Sequence, residues 1–181
     1  MTTSVATRAP RHLVVMAAGT GGHVMPGLAV AREVIARGWT VSWLGTRTGM
    51  ENRLVPSSGI PMDTIDFAGV RGKGLFGMFK GLLQLASAFG GCRHILRSRH
   101  ATAVLGMGGY VCVPGGKVAR KLKKPLVLVN ADAALLLSNA MLLPACKRIA
   151  FGFTINQFMA LAFLPVLGII LYRRRHLPCP S

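Results

Sequence analysis

The sequence of 181 residues is poor in acid. Asp and Glu number 5 against 22 Lys and Arg, a formal charge of +17. The five acids, Glu33, Glu51, Asp63, Asp66 and Asp132, lie scattered. None forms a convincing catalytic pair, and no aspartate pair suits a metal. Aromatics are scarce too, at 7%. Without a basic helix or an aromatic-interleaved sheet, the positive charge points away from nucleic acid. Basic residues are instead interspersed with apolar ones, a pattern that suits a membrane surface with anionic lipid or diphosphate partners. Cys92, Cys112, Cys146 and Cys179 stand far apart with no C-x-x-C or Cys/His spacing, which indicates neither a zinc site nor a disulfide framework. Buried or idle thiols in a reducing compartment are the expectation. Residues 1–11 are polar, lack the apolar run of a secretory signal and read as a short disordered lead.

What the sequence does have is glycine in a telling place. Met16-Ala-Ala-Gly-Thr-Gly-Gly-His-Val-Met-Pro-Gly27 follows an apolar run from His12 to Ala18 that reads as a buried strand. Leu28 to Arg37 then reads as a helix. A glycine-rich turn between strand and helix leaves backbone N–H groups free to face an anion, and the helix dipole points the same way. His23 sits inside that turn, and a titratable side chain beside a phosphate or sugar site is a catalytic candidate. Two familiar motifs fit poorly. A dinucleotide fingerprint needs a third glycine where Val24 stands, and an acid after the second strand, which ends in Thr46-Arg47. A P-loop needs Gly-Lys-Ser/Thr, whereas Leu28 follows Gly27. The plain alternative is a tight turn and nothing more.

A second turn repeats the theme. The strand Ala103-Val-Leu-Gly106 leads into Met107-Gly-Gly-Tyr-Val-Cys-Val-Pro-Gly-Gly116 and a further helix. In one parallel sheet both turns lie at the carboxyl ends of the strands, where open α/β sheets bind ligands. Apolar runs and turn residues alternate along the chain. Strands are expected at Leu13–Ala17, Val41–Leu44, Met62–Phe67, Ala103–Leu105 and Leu126–Val129. Helices are expected at Leu28–Arg37, Glu51–Pro56, Leu75–Arg97, Gly116–Lys123 and Ala133–Ala145. This alternation predicts an α/β fold, a Rossmann-like doubly wound parallel sheet, over residues 12–153.

The stretch Val70 to Arg97 is a basic amphipathic segment. Leu75, Met78, Phe79, Leu82, Leu83, Leu85, Ala86 and Phe89 are apolar, and Arg71, Lys73 and Lys80 flank them. Such a helix can lie at a membrane interface or pack as ordinary core. Because the apolar residues spread over more than one face, membrane contact by Leu75, Phe79, Leu82, Lys73 and Lys80 is the favoured reading. From Ile155 to Tyr172 the tail carries no charge, and Arg173-Arg-Arg-His176 follows. That run is about long enough for one span, but Pro165 and Gly168 weaken a helix. Residues 154–181 read as an anchor, an interfacial segment or, the favoured reading, a divergent end.

Three segments together, Gly19-Thr-Gly-Gly-His-Val-Met-Pro-Gly27, Val70-Arg-Gly-Lys-Gly74 and Leu105-Gly-Met-Gly-Gly-Tyr-Val111, resemble the bacterial MurG glycosyltransferases of family 28. The resemblance covers about Arg11 to Phe153. It implies the amino-terminal, acceptor-side half of a GT-B fold, in which two Rossmann-like domains face each other across a cleft. It also implies transfer of N-acetylglucosamine from UDP-N-acetylglucosamine to lipid I, giving lipid II for peptidoglycan. The location it implies is the cytoplasmic face of the bacterial inner membrane, held peripherally.

By this resemblance His23 is the general base or a direct ligand, and Thr20, Gly21 and Gly22 approach the donor. Gly106, Gly108, Gly109 and Tyr110 form a second loop around the acceptor diphosphate. Asn139 aligns with a family asparagine that contacts the site. No cofactor and no essential metal are implied. Where many members have His-Glu-Gln-Asn, this chain has Val129-Asn-Ala-Asp132, which leaves those contacts open. The donor-holding second domain has no counterpart in these residues. A non-catalytic membrane-associated domain that binds lipid-linked diphosphates is the alternative function.

Overall fold

The computed structural model describes residues 11–67, 75–130 and 136–151, and of residues 75–82 and 151 the backbone only. The lead at 1–10, the Val70–Gly74 motif with Lys73, Asp132 and the 154–181 tail lie outside the described residues.

The elements in chain order are β1 (His12–Ala17), α1 (Gly21–Ala36), β2 (Thr40–Thr46), α2 (Glu51–Leu54), β3 (Met62–Ile65) and α3 (Leu75–Ser98). They continue with β4 (Ala103–Gly108), α4 (Cys112–Lys121), β5 (Leu126–Asn130), α5 (Leu137–Ala140) and β6 (Arg148–Phe151). Short 3₁₀ turns occupy Pro56–Ser58 and Leu143–Ala145. The strands form one sheet in the order β3-β2-β1-β4-β5-β6, and every neighbouring pair is parallel. This is the doubly wound order, with its switch point between β1 and β4.

Strand side chains alternate between the two faces, so β1 feeds two cores. Leu13, Val15 and Ala17 pack with Val24, Leu28 and Ala31 of α1 and with Trp43 and Met107. Val14 and Met16 pack on the other face with Cys92 and Leu96 of α3 and Val118 and Ala119 of α4. Because α1 and α4 leave the sheet on opposite faces, a crevice opens above the ends of β1 and β4. The β1–β4 register shifts between Met16 and Ala17, where the strands part.

Several expectations about element ends need correction. The first helix starts at Gly21, not Leu28. Gly and Pro argue against a helix on propensity, but packing overrides them. A Cβ on Gly27 would lie 2.7 Å from the Trp43 ring, so glycine there lets α1 seat closely on the sheet. The fourth helix likewise starts at Cys112 rather than Gly116 and ends at Lys121, after which Lys123 adopts a left-handed φ of 54°. Of the helix expected over Ala133–Ala145, the described residues from Leu136 on form a single turn, Leu137–Ala140, and a 3₁₀ turn, Leu143–Ala145. The Glu51–Pro56 helix stops at Leu54, ahead of a 3₁₀ turn. Strand β3 stops at Ile65, while β4 and β5 run on to Gly108 and Asn130. The sixth strand, β6, was not anticipated.

Candidate functional site

The carboxyl ends of the strands enclose a cleft of about 680 Å³. Ala18, Gly19 and Thr20 line it from the turn after β1, His23 from α1, Thr46 from the end of β2, and Thr48, Gly49 and Met50 from the segment that follows. Phe67 follows β3; Gly109, Tyr110 and Val113 follow β4; Leu136, Leu137, Ser138 and Met141 follow β5. Among the described residues no charged side chain lines the wall, which offers a helix start, backbone N–H groups and hydroxyls.

The floor is set by β1. The buried Trp43 indole donates from Nε1 to the Ala17 carbonyl at 2.9 Å, which fixes the last residue before the glycine turn. Gly19 then takes φ = +101°, a region that favours glycine. Thr20 begins α1, but its side chain makes no capping hydrogen bond and no acid sits in the first turn. The first N–H groups of a helix have no partner within it. At Gly21 and Gly22 they remain available to a ligand, with the dipole behind them. A Cβ at Gly21 or Gly22 would meet nothing closer than 3.8 Å, so these two glycines are not required for packing.

His23 is partly buried against the second loop. Its Nδ1 is enclosed and has no hydrogen-bond partner. Leaving such a group unpaired costs about 1–3 kcal/mol, a cost that comes with packing the ring against the second loop. The close approach requires glycine at 108: a Cβ there would lie 2.9 Å from both Nδ1 and Cε1 of the ring. Gly108 and Gly109 have φ of +127° and +89°, and a Cβ on Gly109 would stand 2.5 Å from the Ala18 carbonyl oxygen. The second glycine loop thus presses against the first, with the Ala18 N–H donating to the Gly108 carbonyl at 3.4 Å.

The structure brings Gly19, Thr20, His23, Gly109 and Tyr110 to one cleft, with Tyr110 exposed at its mouth. Gly21 and Gly22 form the adjoining helix turn, and Gly108 backs the His23 ring. Gly106 lies inside β4, where a Cβ would strike Leu128 at 2.8 Å, and it does not line the cleft. Asn139 is fully buried beneath the wall. Its Nδ2 donates to the Val129 carbonyl at 3.2 Å and to Asn130 Oδ1 at 3.1 Å, while its Oδ1 lacks a partner. Asn130 Oδ1 also accepts from the Leu136 N–H at 2.9 Å, so this pair braces the segment after β5.

Two features escaped sequence reasoning. Glu51, set aside with the other acids as forming no catalytic pair, is a fully buried carboxylate behind the glycine turn. An acid opening a helix just after a Gly-Met pair was the available signal. The apolar rim of Met50, Leu137 and Met141, all exposed, was also missed, since isolated apolar residues on short turns carry no periodicity. Cys112 and Cys92 are buried as expected, and burial pushes both thiols up to about 12.

Comparison with known proteins agrees with this geometry. The glycosyltransferase family 28 N-terminal domain matches residues 13–151. The UDP-N-acetylglucosamine–N-acetylmuramyl-(pentapeptide) pyrophosphoryl-undecaprenol N-acetylglucosamine transferase of Methylibium petroleiphilum is 68% identical over 146 residues, 79% of this chain and 40% of the relative. The enzyme of the same name from Chromobacterium violaceum is 62% identical over 80% of this chain and 40% of its own length. The crystal structure of Acinetobacter baumannii MurG superposes with a TM-score of 0.70 at 40% identity, covering 81% of this chain and 42% of that one. The chain therefore spans about two fifths of the length of these relatives, and it belongs to glycosyltransferase family 28, whose N-terminal, Rossmann-like GT-B domain it comprises.

Proposed function

We propose that this chain is the acceptor-side half of a transferase that moves N-acetylglucosamine from UDP-N-acetylglucosamine to lipid I, forming lipid II for peptidoglycan. The activity named for the relative that is 68% identical motivates the substrates. The observation that carries the reading is the cleft where an uncapped helix start and His23 meet. In the transfer, an acceptor sugar hydroxyl attacks the anomeric carbon of the donor. The new C–O bond forms as the bond to UDP breaks, and UDP leaves with its electron pair. His23 takes the hydroxyl proton. With Nδ1 enclosed against Gly108, Nε2 is the nitrogen that acts into the cleft. Thr20, Gly21 and Gly22 face the donor diphosphate, and Gly109 and Tyr110 the acceptor diphosphate.

A GT-B cleft needs both walls, so residues 1–181 alone are expected to show little or no transfer. In a protein completed with a family donor domain, His23→Ala should lower turnover about 10²–10⁴-fold, the usual worth of general-base assistance. Donor affinity and fold should be retained. Unchanged turnover removes His23 as the base; weaker donor binding with unchanged saturated turnover makes it a ligand instead.

The same reading places the chain peripherally on the cytoplasmic face of the inner membrane. No helix among the described residues is long and apolar enough to cross a membrane. On α3, Leu85, Ala88, Phe89, Cys92, Ile95 and Leu96 face the core, whereas Leu83 is 57% exposed. A hollow of about 520 Å³ is lined by Phe89 of α3 with Met141, Pro144 and Ala145 and by Lys117, Arg120 and Lys121. Apolar surface mixed with cations suits anionic headgroups. Replacing Phe79 and Leu82 by Ser in a chain ending near Phe153 should reduce binding to anionic vesicles, and added salt should weaken it further. Binding indifferent to both changes would make α3 ordinary core.

A further inference from the structure

The buried carboxylate of Glu51 stands behind the glycine turn and touches no cation among the described residues. It accepts three hydrogen bonds: from the Gly19 N–H at 3.0 Å, the Thr46 N–H at 3.0 Å and the Thr46 hydroxyl at 2.8 Å. The two donor residues come from different elements, Gly19 from the turn after β1 and Thr46 from the end of β2. A further bond, from the Met50 N–H to the Gly19 carbonyl at 3.3 Å, closes the same junction. Asn52 completes it by donating to the carbonyls of Thr46 at 2.7 Å and Gly49 at 3.1 Å.

The surroundings are shaped for this side chain. A Cβ on Gly49 would collide with the Glu51 carboxylate, and one on Gly45 would lie 2.8 Å from its Cγ. Burying a carboxylate is costly unless its lone pairs are met, and a core position could have been filled by an apolar residue at no such cost. What the carboxylate adds is direction. Gly19 has no side chain and a left-handed φ, so nothing of its own fixes where α1 begins. The clamp from Glu51 does.

We propose that Glu51 is a positioning residue. By holding Gly19 to the end of β2, it aims the free N–H groups of Gly21 and Gly22 and the ring of His23 into the cleft. This rests on the reading of that cleft as the transfer site, but its test needs no transfer. In the full chain, Glu51→Gln replaces one acceptor oxygen by an NH₂ that confronts the Gly19 N–H or the Thr46 donors. Amide hydrogen exchange followed by NMR should show Gly19 and Thr46 exchanging about tenfold faster or more, as befits a lost bond to a charged group. The His23 ring resonances should shift, while amides of β5 such as Leu128 keep their rates. Unchanged Gly19 exchange and an unmoved His23 ring would overturn the proposal. So would acceleration of all amides by one common factor, which is the mark of lost global stability alone. Should Glu51→Gln fail to fold, Thr46→Val removes only the hydroxyl donor and should speed Gly19 exchange by a smaller, still local factor of about threefold; no local change there would equally refute the clamp. If the transferase reading fails, these exchange rates are untouched, so the two failures are distinct.

Discussion

The two edges of the sheet treat their polar groups in opposite ways. At the amino edge almost everything is paired. The His12 ring has Thr40 Oγ1 at 2.8 Å from Nδ1 and Ser42 Oγ at 2.9 Å from Nε2. Thr102 and the His12 backbone exchange hydrogen bonds at 2.8 and 2.9 Å. Arg99 holds Asp63 with a two-pronged contact at 2.8 and 2.9 Å. At the carboxyl edge a histidine ring nitrogen is buried without a partner, a helix starts without a cap, and glycines bring loops into direct backbone contact. The first edge holds the sheet together. The second forgoes some of that stability for a site in which donors remain free.

Glycine substitutions should separate the two kinds of glycine most strongly. Gly109→Ala forces a side chain into a left-handed φ and against the Ala18 carbonyl, and should cost about 2 kcal/mol or more in urea unfolding. Gly22→Ala, on an exposed helix turn with open space, should be neutral or stabilising by up to about 1 kcal/mol. Equal losses at both positions would erase the distinction between a glycine that a close backbone approach requires and one whose side-chain space is open.

Much of this division was legible in the sequence, and the reasons are local. The strands buried on both faces announce themselves as short apolar runs, and the two glycine segments mark the ligand edge by following those runs. The start of α1 was misread because Gly21, Gly22, Pro26 and Gly27 look like loop, and only the Trp43 ring, brought in by β2, explains Gly27. Gly115 and Gly116 are the same case: side chains there would run into Met16 and Leu142, contacts between residues far apart in sequence. Strand β6 was missed because Lys147-Arg148 hides a run of only three apolar residues at a sheet edge. Glu51 could not be placed, since its carboxylate joins the turn after β1 to the end of β2, which meet only in the fold.

At the amino edge, Arg99→Ala should cost about 1 kcal/mol of stability, in the range of partly exposed ion pairs. Transfer by a completed enzyme should be unaffected. A loss of activity at unchanged stability would mean that this edge also serves the site.

The smallest effect concerns His12. Burial, assisted by nearby Arg99 and His100 and opposed by Asp63, lowers its pKa from the usual 6.5. The unfolded chain therefore takes up a proton there first. The stability from neutral His12 is present above about pH 6.5 and is lost as pH falls below that, through the lowered folded value. The drop in unfolding free energy between pH 7.5 and 5.5 should be smaller in His12→Gln than in the parent chain. An equal or larger drop would put the acid sensitivity elsewhere.

The central claim is that the carboxyl-edge cleft is where the lipid-linked acceptor binds. The direct measurement is an NMR titration of the full chain with a short-chain, soluble lipid I analogue. Saturable shifts are predicted at the amides of Gly109 and Tyr110 and at His23, with the His12 and Arg99 region silent. Saturable binding whose shifts fall only on the amino edge or around Lys117, Arg120 and Lys121, with none at His23, Gly109 or Tyr110, would contradict the account.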